Sequence, residues 1–274
     1  MLAFLVWDPQ KEIFSFSLPL LGRPLVWYGL CFAIGFFLAY VLFFFQLKKI
    51  LPRSKAKKIA EGILSYALLG VILGARFFDV IFYQDWHLIY TKPWTLFQPW
   101  EGGLASHGGV AGLLLALAIF HKKHRTIFEK ISFVKLLDLL CLPSAALAGC
   151  IRIGNFINQE IVGTPTTLPW AVIFCHPADG CSAVPRHPVQ LYEAFFYFLL
   201  AVGLFAFHKK LLKYQSGKTV GLFLTVVFAF RFCIEYVKVE QSAQISNTCF
   251  ISMGQILSIP FVLIGIFLLL RKNK

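Results

Sequence analysis

Residues 133–157 read FVKLLDLLCLPSAALAGCIRIGNFI, an apolar run longer than the roughly 20 residues that a helix needs to cross a bilayer. The run is closed by residues 152–163, RIGNFINQEIVG, which contain a cation, an anion and three amide side chains. Such groups are costly at membrane depth and mark functional sites in membrane proteins. Their meaning depends on whether the whole chain is a membrane protein.

The composition indicates that it is. Of 274 residues, 58% are hydrophobic, 30 are Phe and only 14% are charged, whereas a soluble domain carries about 25% charged residues. We therefore predict an all-α integral membrane protein, a bundle of seven transmembrane helices that forms a single domain over residues 1–274. The predicted spans are about 20–46, 60–84, 103–120, 133–157, 188–207, 219–237 and 251–270.

The basic residues orient these spans. Most of them lie after the first, third and fifth spans and in the C-terminal tail, so the positive-inside rule predicts a periplasmic N-terminus and a cytoplasmic C-terminus. They alternate with spans and never form one basic face, so the net charge of +13 predicts contact with anionic membrane lipid and no nucleic-acid partner. The cations assigned to the cytoplasmic side are Lys48, Lys49, Arg53, Lys55, Lys57, Lys58, Lys122, Lys123, Arg125, Lys130, Lys209, Lys210, Lys213, Lys218, Arg271, Lys272 and Lys274.

With this orientation, polar residues of six spans fall in one layer near the outer water interface. Spacings of three or four residues put Arg and acid or amide partners on one helix face. A single pair of this kind could equally serve only to join helices, but three pairs at one depth favour a site. The layer contains Tyr28, Arg76, Asp79, His107, Arg152, Asn155, Glu160, His187, Gln190, Tyr192, Glu193, Arg231 and Glu235.

The residue types in this layer suit a phospholipid. Arginine binds phosphate in bidentate fashion and stays charged, so Arg152 and Arg231 predict a lipid phosphate site. His107 lies in GGLASHGG, residues 102–109, and could act as a general base, with glycines that permit close approach of backbone and substrate. The alternative is an interfacial His that is merely hydrogen-bonded.

Motifs along nearly the whole chain resemble those of the bacterial prolipoprotein diacylglyceryl transferases, in the family's order. The family usually has Gly where Gln159 stands, and often Gly at the position of Cys150 or Ile151. The matching segments are Trp27-Tyr28-Gly29, Gly74-Ala-Arg76, the His107 loop, Arg152 to Glu160 with Gly163, Arg186 to Glu193, Arg231 to Tyr236 and Met253 to Pro260.

This resemblance implies transfer of the diacylglyceryl group of phosphatidylglycerol to the thiol of the lipobox cysteine of a prolipoprotein. Glycerol 1-phosphate would be released, in the first step of bacterial lipoprotein maturation. The implied location is the bacterial inner membrane, with the active site toward the periplasm. We expect neither a cofactor nor a metal.

The resemblance also implies roles for individual residues. The expected catalytic residues are His107, which would activate the thiol, Arg231 at the phosphate, and Tyr28. Arg152 would bind the phosphate of phosphatidylglycerol, and Asn155 and Glu160 would position its headgroup together with Tyr28. Glu235 would orient Arg231, and Gly163 would permit the chain reversal after the fourth span.

Two other classes of function compete with this interpretation. A transporter or channel would line both halves of the membrane with polar groups, whereas the inner half here is nearly apolar apart from Lys135 and Asp138. An intramembrane serine protease would need a nucleophile and base in hydrogen-bond reach, which the adjacent Ser106 and His107 cannot easily achieve, and no Gly-x-Ser-x-Gly turn occurs.

The seven cysteines add little chemistry. Those inside spans are expected to be small packing residues. Cys175 and Cys181 are close enough in sequence for a disulfide, which leaves open whether residues 158–187 form a bonded loop or a lid. A zinc site with the neighbouring histidines would not have a standard ligand spacing.

Overall fold

The computed structural model describes residues 4–17, 24–82, 91, 94, 105–128, 131–178, 180, 183–213, 217–239 and 251–271. The chain divides into two compact units, one formed by Met1–Phe43 with Leu137–Lys274 and the other by Phe44–Leu136. We call these unit 1 and unit 2 and describe each by itself. The single domain over the whole chain stays a prediction.

The protein is mostly helical. The helices are α1 (Trp27–Leu47), α2 (Arg53–Phe82), α3 (Ser106–Lys123), α4 (Phe133–Ile157), α5 (Val189–Ala206), α6 (His208–Lys213), α7 (Lys218–Ile234) and α8 (Met253–Leu270). Six segments are long and apolar enough to cross a membrane: α1, α2, α4, α5, α7 extended to Val237, and α8. They confirm an integral membrane protein and six of the seven predicted spans. The third predicted span is helical as α3, but its ends are polar and it is not among the six.

Helix boundaries follow the sequence chemistry closely. The span predicted at 133–157 coincides with α4, which continues through Pro143. α1 begins at Trp27, later than predicted, because residues Pro24–Val26 form a strand. α2 begins at Arg53, earlier than predicted, because a basic first turn precedes its apolar part.

Two small sheets, which the sequence analysis did not predict, lie outside the apolar helices. In one, β1 (Leu5–Trp7) pairs in parallel with β4 (Val172–Phe174), which pairs antiparallel with β5 (Pro185–Arg186). In the other, β2 (Glu12–Ser17) and β3 (Pro24–Val26) are antiparallel. Such short strands show too few residues for a periodic signal in the sequence.

Unit 2 is built around close contact between α2 and α3. A Cβ added to Gly74 would lie 2.3 Å from the carbonyl oxygen of Gly108, and one added to Gly112 would lie 2.1 Å from that of Gly70. Small residues allow membrane helices to approach at backbone distance. Gly108, one of the glycines that flank His107, is therefore required for helix packing.

Unit 1 contains the packed core of α4 and α5. Its buried cluster comprises Cys141, Leu142, Ala145, Ala146, Ala201 and Leu204. α7 and α8 also approach closely, because a Cβ on Gly265 would lie 2.8 Å from the carbonyl oxygen of Gly221. The Phe196 and Phe230 rings stack at 3.8 Å between α5 and α7.

The start of α7 is fixed by a buried carboxylate of α4. Asp138 accepts hydrogen bonds from the backbone N–H groups of Gly217 and Val220, each at 2.8 Å. The first N–H groups of a helix lack partners within the helix, and the positive end of the helix dipole lies there. Both features favour an anion at this position. Asp138 thus acts as a helix cap at the end of α7 opposite to Arg231.

Candidate active site in unit 1

The chain reverses direction immediately after α4, and Glu160 lies at the reversal. Gln159 and Ile161 have left-handed backbones, with φ of 56° and 55°. This region is unusual for residues other than glycine and most unusual for a β-branched one such as Ile161. Backbone strain of this kind is often kept at functional sites. Glu160 is therefore held between two unfavourable conformations.

Gly163 is not among the left-handed residues of the described chain, so it does not act through a positive φ, and its role in the reversal stays a prediction. The reason for a glycine there is space. A Cβ at Gly163 would lie 2.4 Å from the carbonyl oxygen of His187, and the Gly163 backbone also bridges to Lys238.

Three predicted site residues form one hydrogen-bonded chain. Arg152 Nη1 donates to Asn155 Oδ1 at 3.1 Å, and Asn155 Nδ2 donates to Glu160 Oε2 at 2.9 Å. Asn158 Nδ2 donates to the other oxygen, Oε1, at 3.1 Å. The Asn155 amide therefore presents its oxygen to the cation and its nitrogen to the anion, which fixes the positions of both charges.

Arg152 is held from its other side by Glu193 of α5. Its Nε lies 3.0 Å from Glu193 Oε2, and Lys238 Nζ donates to Glu193 Oε1 at 2.8 Å. The Glu193 and Lys238 side chains are only 2% and 7% exposed. A carboxylate buried this deeply requires paired cations. Burial lowers the pKa of Lys238, and the charge of Glu193 acts in the opposite direction.

This pairing was missed in the sequence. Glu193 belongs to the predicted polar layer, but Lys238 looks like an ordinary loop cation, and 45 residues separate the two. The backbone positions Lys238, because Thr164 N–H donates to the carbonyl oxygen of Val237 at 2.9 Å.

Two tyrosines complete the surroundings of Arg152. The Tyr28 ring packs on Gly154, where a Cβ would lie 2.9 Å from Tyr28 Cδ2. The Tyr28 side chain is within interaction range of Asn155, Glu160 and Arg152. Tyr197, a buried residue of α5 that the sequence analysis did not single out, interacts with Arg152 in the same way.

Gln190, at the start of α5, binds the backbone of the reversal. Its Nε2 donates to the Glu160 carbonyl oxygen at 2.7 Å. Among the described residues, its Oε1 is buried and has no hydrogen-bond partner. Gln190 belongs to the predicted polar layer, and this contact gives it a structural role at Glu160.

Arg231 and Glu235 do not form the predicted pair. Arg231 lies in the last turn of α7, where its charge acts on Tyr197. No ion pair joins it to Glu235 within the part of the chain that the structure describes. α7 ends at Ile234, but the backbone keeps the helical i,i+4 relation, because Glu235 N–H donates to the Arg231 carbonyl oxygen. The Glu235 carboxylate instead faces Gly254 of α8, where a Cβ would lie 2.2 Å from Oε1.

His107 belongs to unit 2. It is exposed in the first turn of α3, next to the glycines that contact α2. The predicted pair of Arg76 and Asp79 also lies in unit 2, with Nη1 and Oδ2 3.4 Å apart and both side chains buried. The site described here therefore contains Tyr28, Arg152, Asn155, Glu160, Gly163, Arg231 and Glu235 of the predicted residues.

The segment after the reversal is tied down by Gln159. Its Oε1 accepts from His176 N–H at 2.7 Å, and its carbonyl oxygen accepts from Ala178 N–H at 3.0 Å. Trp7 Nε1 donates to the carbonyl oxygen of Phe156 at 3.1 Å, so β1 also packs at the end of α4. Cys175 is a free cysteine, while Cys181 and Cys249 lie outside the described residues.

In chemical terms, unit 1 presents a fixed guanidinium beside a carboxylate and two tyrosines at one end of its helices. Such a set can bind an anion and accept hydrogen bonds from hydroxyl groups of the same ligand. Within the described chain, no three His, Cys, Asp or Glu residues are grouped in a way that could hold a metal ion.

Comparison with known proteins assigns the chain to a family. The family model "Prolipoprotein diacylglyceryl transferase" matches residues 16–271. A phosphatidylglycerol--prolipoprotein diacylglyceryl transferase of Chlamydia pneumoniae is 41% identical over 98% of this chain and 96% of its own length. Proteins of the same name from Tolumonas auensis and Protochlamydia amoebophila are 42% and 33% identical, over 90% and 100% of this chain and 91% and 96% of their own lengths. The chain belongs to the prolipoprotein diacylglyceryl transferase family.

Proposed function

We propose that this protein transfers the diacylglyceryl group of phosphatidylglycerol to the thiol of the lipobox cysteine of a prolipoprotein and releases glycerol 1-phosphate. Family membership supports this reaction and favours it over a transporter or channel. The structural observation that carries it is the fixed chain of Arg152, Asn155 and Glu160. It offers a cation for a phosphate and a carboxylate for hydroxyl groups, which are the two polar features of a phosphatidylglycerol headgroup.

The reaction is a substitution at the glycerol carbon next to the phosphate. The cysteine sulfur supplies an electron pair to that carbon, the carbon–oxygen bond breaks, and the pair of that bond leaves on the phosphate oxygen. A thiol with a pKa of about 8.5 is mostly protonated at neutral pH, so a base must take its proton. Charge accumulates on the departing phosphate and needs a fixed cation.

Arg152 and Arg231 are the cations that we assign to the phosphate. Arg152 is held by Glu193 through Nε and by Asn155 through Nη1. A guanidinium held in advance loses little freedom when it binds a phosphate, which makes it effective at the moment of reaction. Arg231 and Arg152 both interact with Tyr197, which supports a shared role.

Tyr28, Asn155 and Glu160 would position the glycerol headgroup. Glu160 accepts hydrogen bonds from two asparagines and would accept further ones from headgroup hydroxyls. Gly163 would serve by allowing the close contact with His187 that keeps the reversal compact. The Glu235 carboxylate packs against Gly254, and its buried Oε2, which has no hydrogen-bond partner among the described residues, would act as an acceptor at the end of α7.

His107 is the proposed base for the thiol. It opens α3 and is exposed, so a peptide thiol has access to it. Its neighbour Gly108 makes the close contact with α2, which fixes the start of α3. The thiol proton would pass to the imidazole as the sulfur attacks.

We further propose that α3 also crosses the membrane, as the third of seven spans. The N-terminus would then lie in the periplasm and the C-terminus in the cytoplasm of a bacterium with this protein in its inner membrane. The distribution of Lys and Arg supports this orientation. The catalytic residues then face the periplasm, where the lipobox cysteine of a secreted substrate emerges.

A transporter would use the buried Asp138 as part of a polar path. Asp138 instead accepts two backbone hydrogen bonds and so caps the start of α7. This contact favours a structural role for the carboxylate and argues against transport.

The test uses purified protein in phosphatidylglycerol vesicles with a lipobox peptide, and measures the mass gain of the peptide together with glycerol phosphate release. We expect transfer by the wild type and a loss of roughly 10²–10³-fold in Arg152→Gln, the effect of removing one stabilising donor. Arg53→Gln, which removes an exposed arginine at the start of α2, is the matched control and should be fully active. Lack of transfer by the wild type, or labelling of a peptide whose cysteine is replaced by Ser, would refute the proposal.

A further inference from the structure

An apolar groove lies between α5, α6 and α7, away from the Arg152 group. Its volume is about 400 Å³, and it is lined by Phe196, Leu204, Phe207 and Leu222 among other apolar residues. It lies along the last three turns of α5 and the first turns of α7, whereas Glu193 and Lys238 belong to the opposite ends of these segments. The groove is therefore separate from the candidate active site.

Gly203 keeps this groove open. It lines the groove, and a Cβ added there would meet no atom within 4 Å. At the other described helical glycines of unit 1 except Gly29, an added Cβ would lie less than 3.0 Å from a neighbouring atom, as at Gly149, where Phe198 is 2.6 Å away. Since glycine weakens a helix relative to alanine, its presence at an open position points to the free space as the reason.

Lys210 is the charged residue in the lining. It is exposed in α6, and within the described chain its Nζ makes no hydrogen bond or ion pair. Lys218, by contrast, donates to the carbonyl oxygens of Leu269 and Arg271 and so caps the C-terminal end of α8. The charge of Lys210 is thus available to an anion at the edge of an apolar space.

We propose that this groove binds an acyl chain of an anionic membrane phospholipid whose phosphate pairs with Lys210. The helices on both sides are candidate membrane spans, so the groove opens toward lipid. Its volume lies in the range of about 300–1,000 Å³ that small-molecule sites occupy. An apolar chain and a negative headgroup match the apolar lining and the unpaired cation.

The decisive variant is Gly203→Phe, which fills the groove from a position where an added Cβ would meet no atom within 4 Å. Full-length protein in detergent is titrated with phosphatidylserine, an anionic lipid that is not the proposed substrate, and bound lipid is counted by native mass spectrometry. We expect at least about tenfold weaker binding. Val202→Phe is the matched control, because Val202 is 64% exposed on the same helix and does not line the groove.

The charge is tested separately. Lys210→Ser should reduce binding of phosphatidylserine to the level of phosphatidylcholine with the same acyl chains, whereas Lys209→Ser, one residue away and outside the lining, should not. Gly203→Leu replaces Gly203→Phe if the larger side chain prevents folding, as judged by the unfolding temperature.

Unchanged phosphatidylserine binding in the filled groove would overturn the proposal. Equal losses in the Lys209 and Lys210 variants would do the same, since they would indicate general attraction to basic residues. If the wild type is a dimer and Gly203→Phe converts it to a monomer, the occupant of the groove is a second copy of the chain, and the lipid proposal is overturned.

Discussion

Lys238 Nζ and Glu193 Oε1 lie 2.8 Å apart, in a contact that joins residues 45 positions apart in the sequence. The other oxygen of the same carboxylate lies 3.0 Å from Arg152 Nε. One buried anion therefore connects the proposed phosphate-binding arginine to a lysine beyond the end of α7. Lys238 is a positioning residue, since it acts on Arg152 through Glu193.

Replacing Lys238 by Met should destabilise the protein by less than the about 3 kcal/mol that breaking a buried ion pair costs, because Arg152 still compensates Glu193 and because burial of the Lys238 charge is itself unfavourable. Thermal unfolding in detergent measures the change. Lys238→Arg keeps the charge and should recover most of the stability. An unfolding temperature of Lys238→Met equal to that of the wild type would contradict this account of the buried carboxylate.

The same lysine predicts a pH dependence. Because burial lowers the pKa of folded Lys238 below its usual value of 10.5, the unfolded state binds more protons in the window between the lowered and the usual pKa. Stability from this group therefore rises with pH across that window. The difference in unfolding temperature between the wild type and Lys238→Met should widen as pH approaches 10.5. A difference in unfolding temperature that narrows with pH would mean that the pKa of folded Lys238 is raised.

Changing Asn155 to Asp alters charge with little change in shape. It replaces the Nδ2 donor, 2.9 Å from Glu160 Oε2, by an anionic oxygen and so repels Glu160. We expect transfer activity, measured as kcat/KM in vesicles, to fall by roughly 10²-fold or more. Asn158→Asp also adds a charge beside Glu160 but does not contact Arg152, so its loss should be clearly smaller. Equal losses would mean that the link to Arg152 is unimportant.

Two substitutions of Gln159 distinguish the strain of its left-handed backbone from the contribution of its side-chain hydrogen bond. Gln159→Ala keeps the left-handed backbone and loses the bond to His176 N–H, whereas Gln159→Gly loses the bond but relaxes the backbone. Relaxation should contribute about 1 kcal/mol, and the lost buried bond should cost about 1–3 kcal/mol. Unfolding temperatures should rank the wild type above the Gly variant and the Gly variant above the Ala variant. An Ala variant as stable as the Gly variant would show that φ at this position carries no strain.

Asp138→Ala tests whether the buried carboxylate is only a cap. It removes both acceptors at the start of α7 and should cost about 2 kcal/mol, the upper range for a helix cap, because the site is buried. Transfer activity per folded molecule should stay close to that of the wild type. A folded variant without activity would give Asp138 a role in the reaction.

The sequence predicted α4 to the residue, because a continuous apolar run with a polar end leaves little choice of boundaries. It also placed Arg152, Asn155 and Glu160 together, since they share one helix end and its turn and local spacing was sufficient. The predicted contact between Arg231 and Glu235 was wrong, since spacing alone does not reveal that the Glu235 carboxylate packs against Gly254 of α8.

Contacts between residues far apart in the sequence could not be predicted either. Nothing in the loop around Lys238 indicates that it pairs with Glu193, and the parallel pairing of β1 with β4 involves strands of three residues each. Both contacts depend on how distant segments pack, which periodicity and composition do not encode.

That parallel pairing has a consequence for biosynthesis. Leu5 pairs with Val172 and Trp7 with Phe174, so β1 finds its partner strand only after the four helices α1 to α4 have been made. Contacts of such high sequence separation form late, because the intervening chain must be ordered first. β1 therefore stays without its partner strand while α1 to α4 are made, and it can pair only when the segment after α4 has emerged.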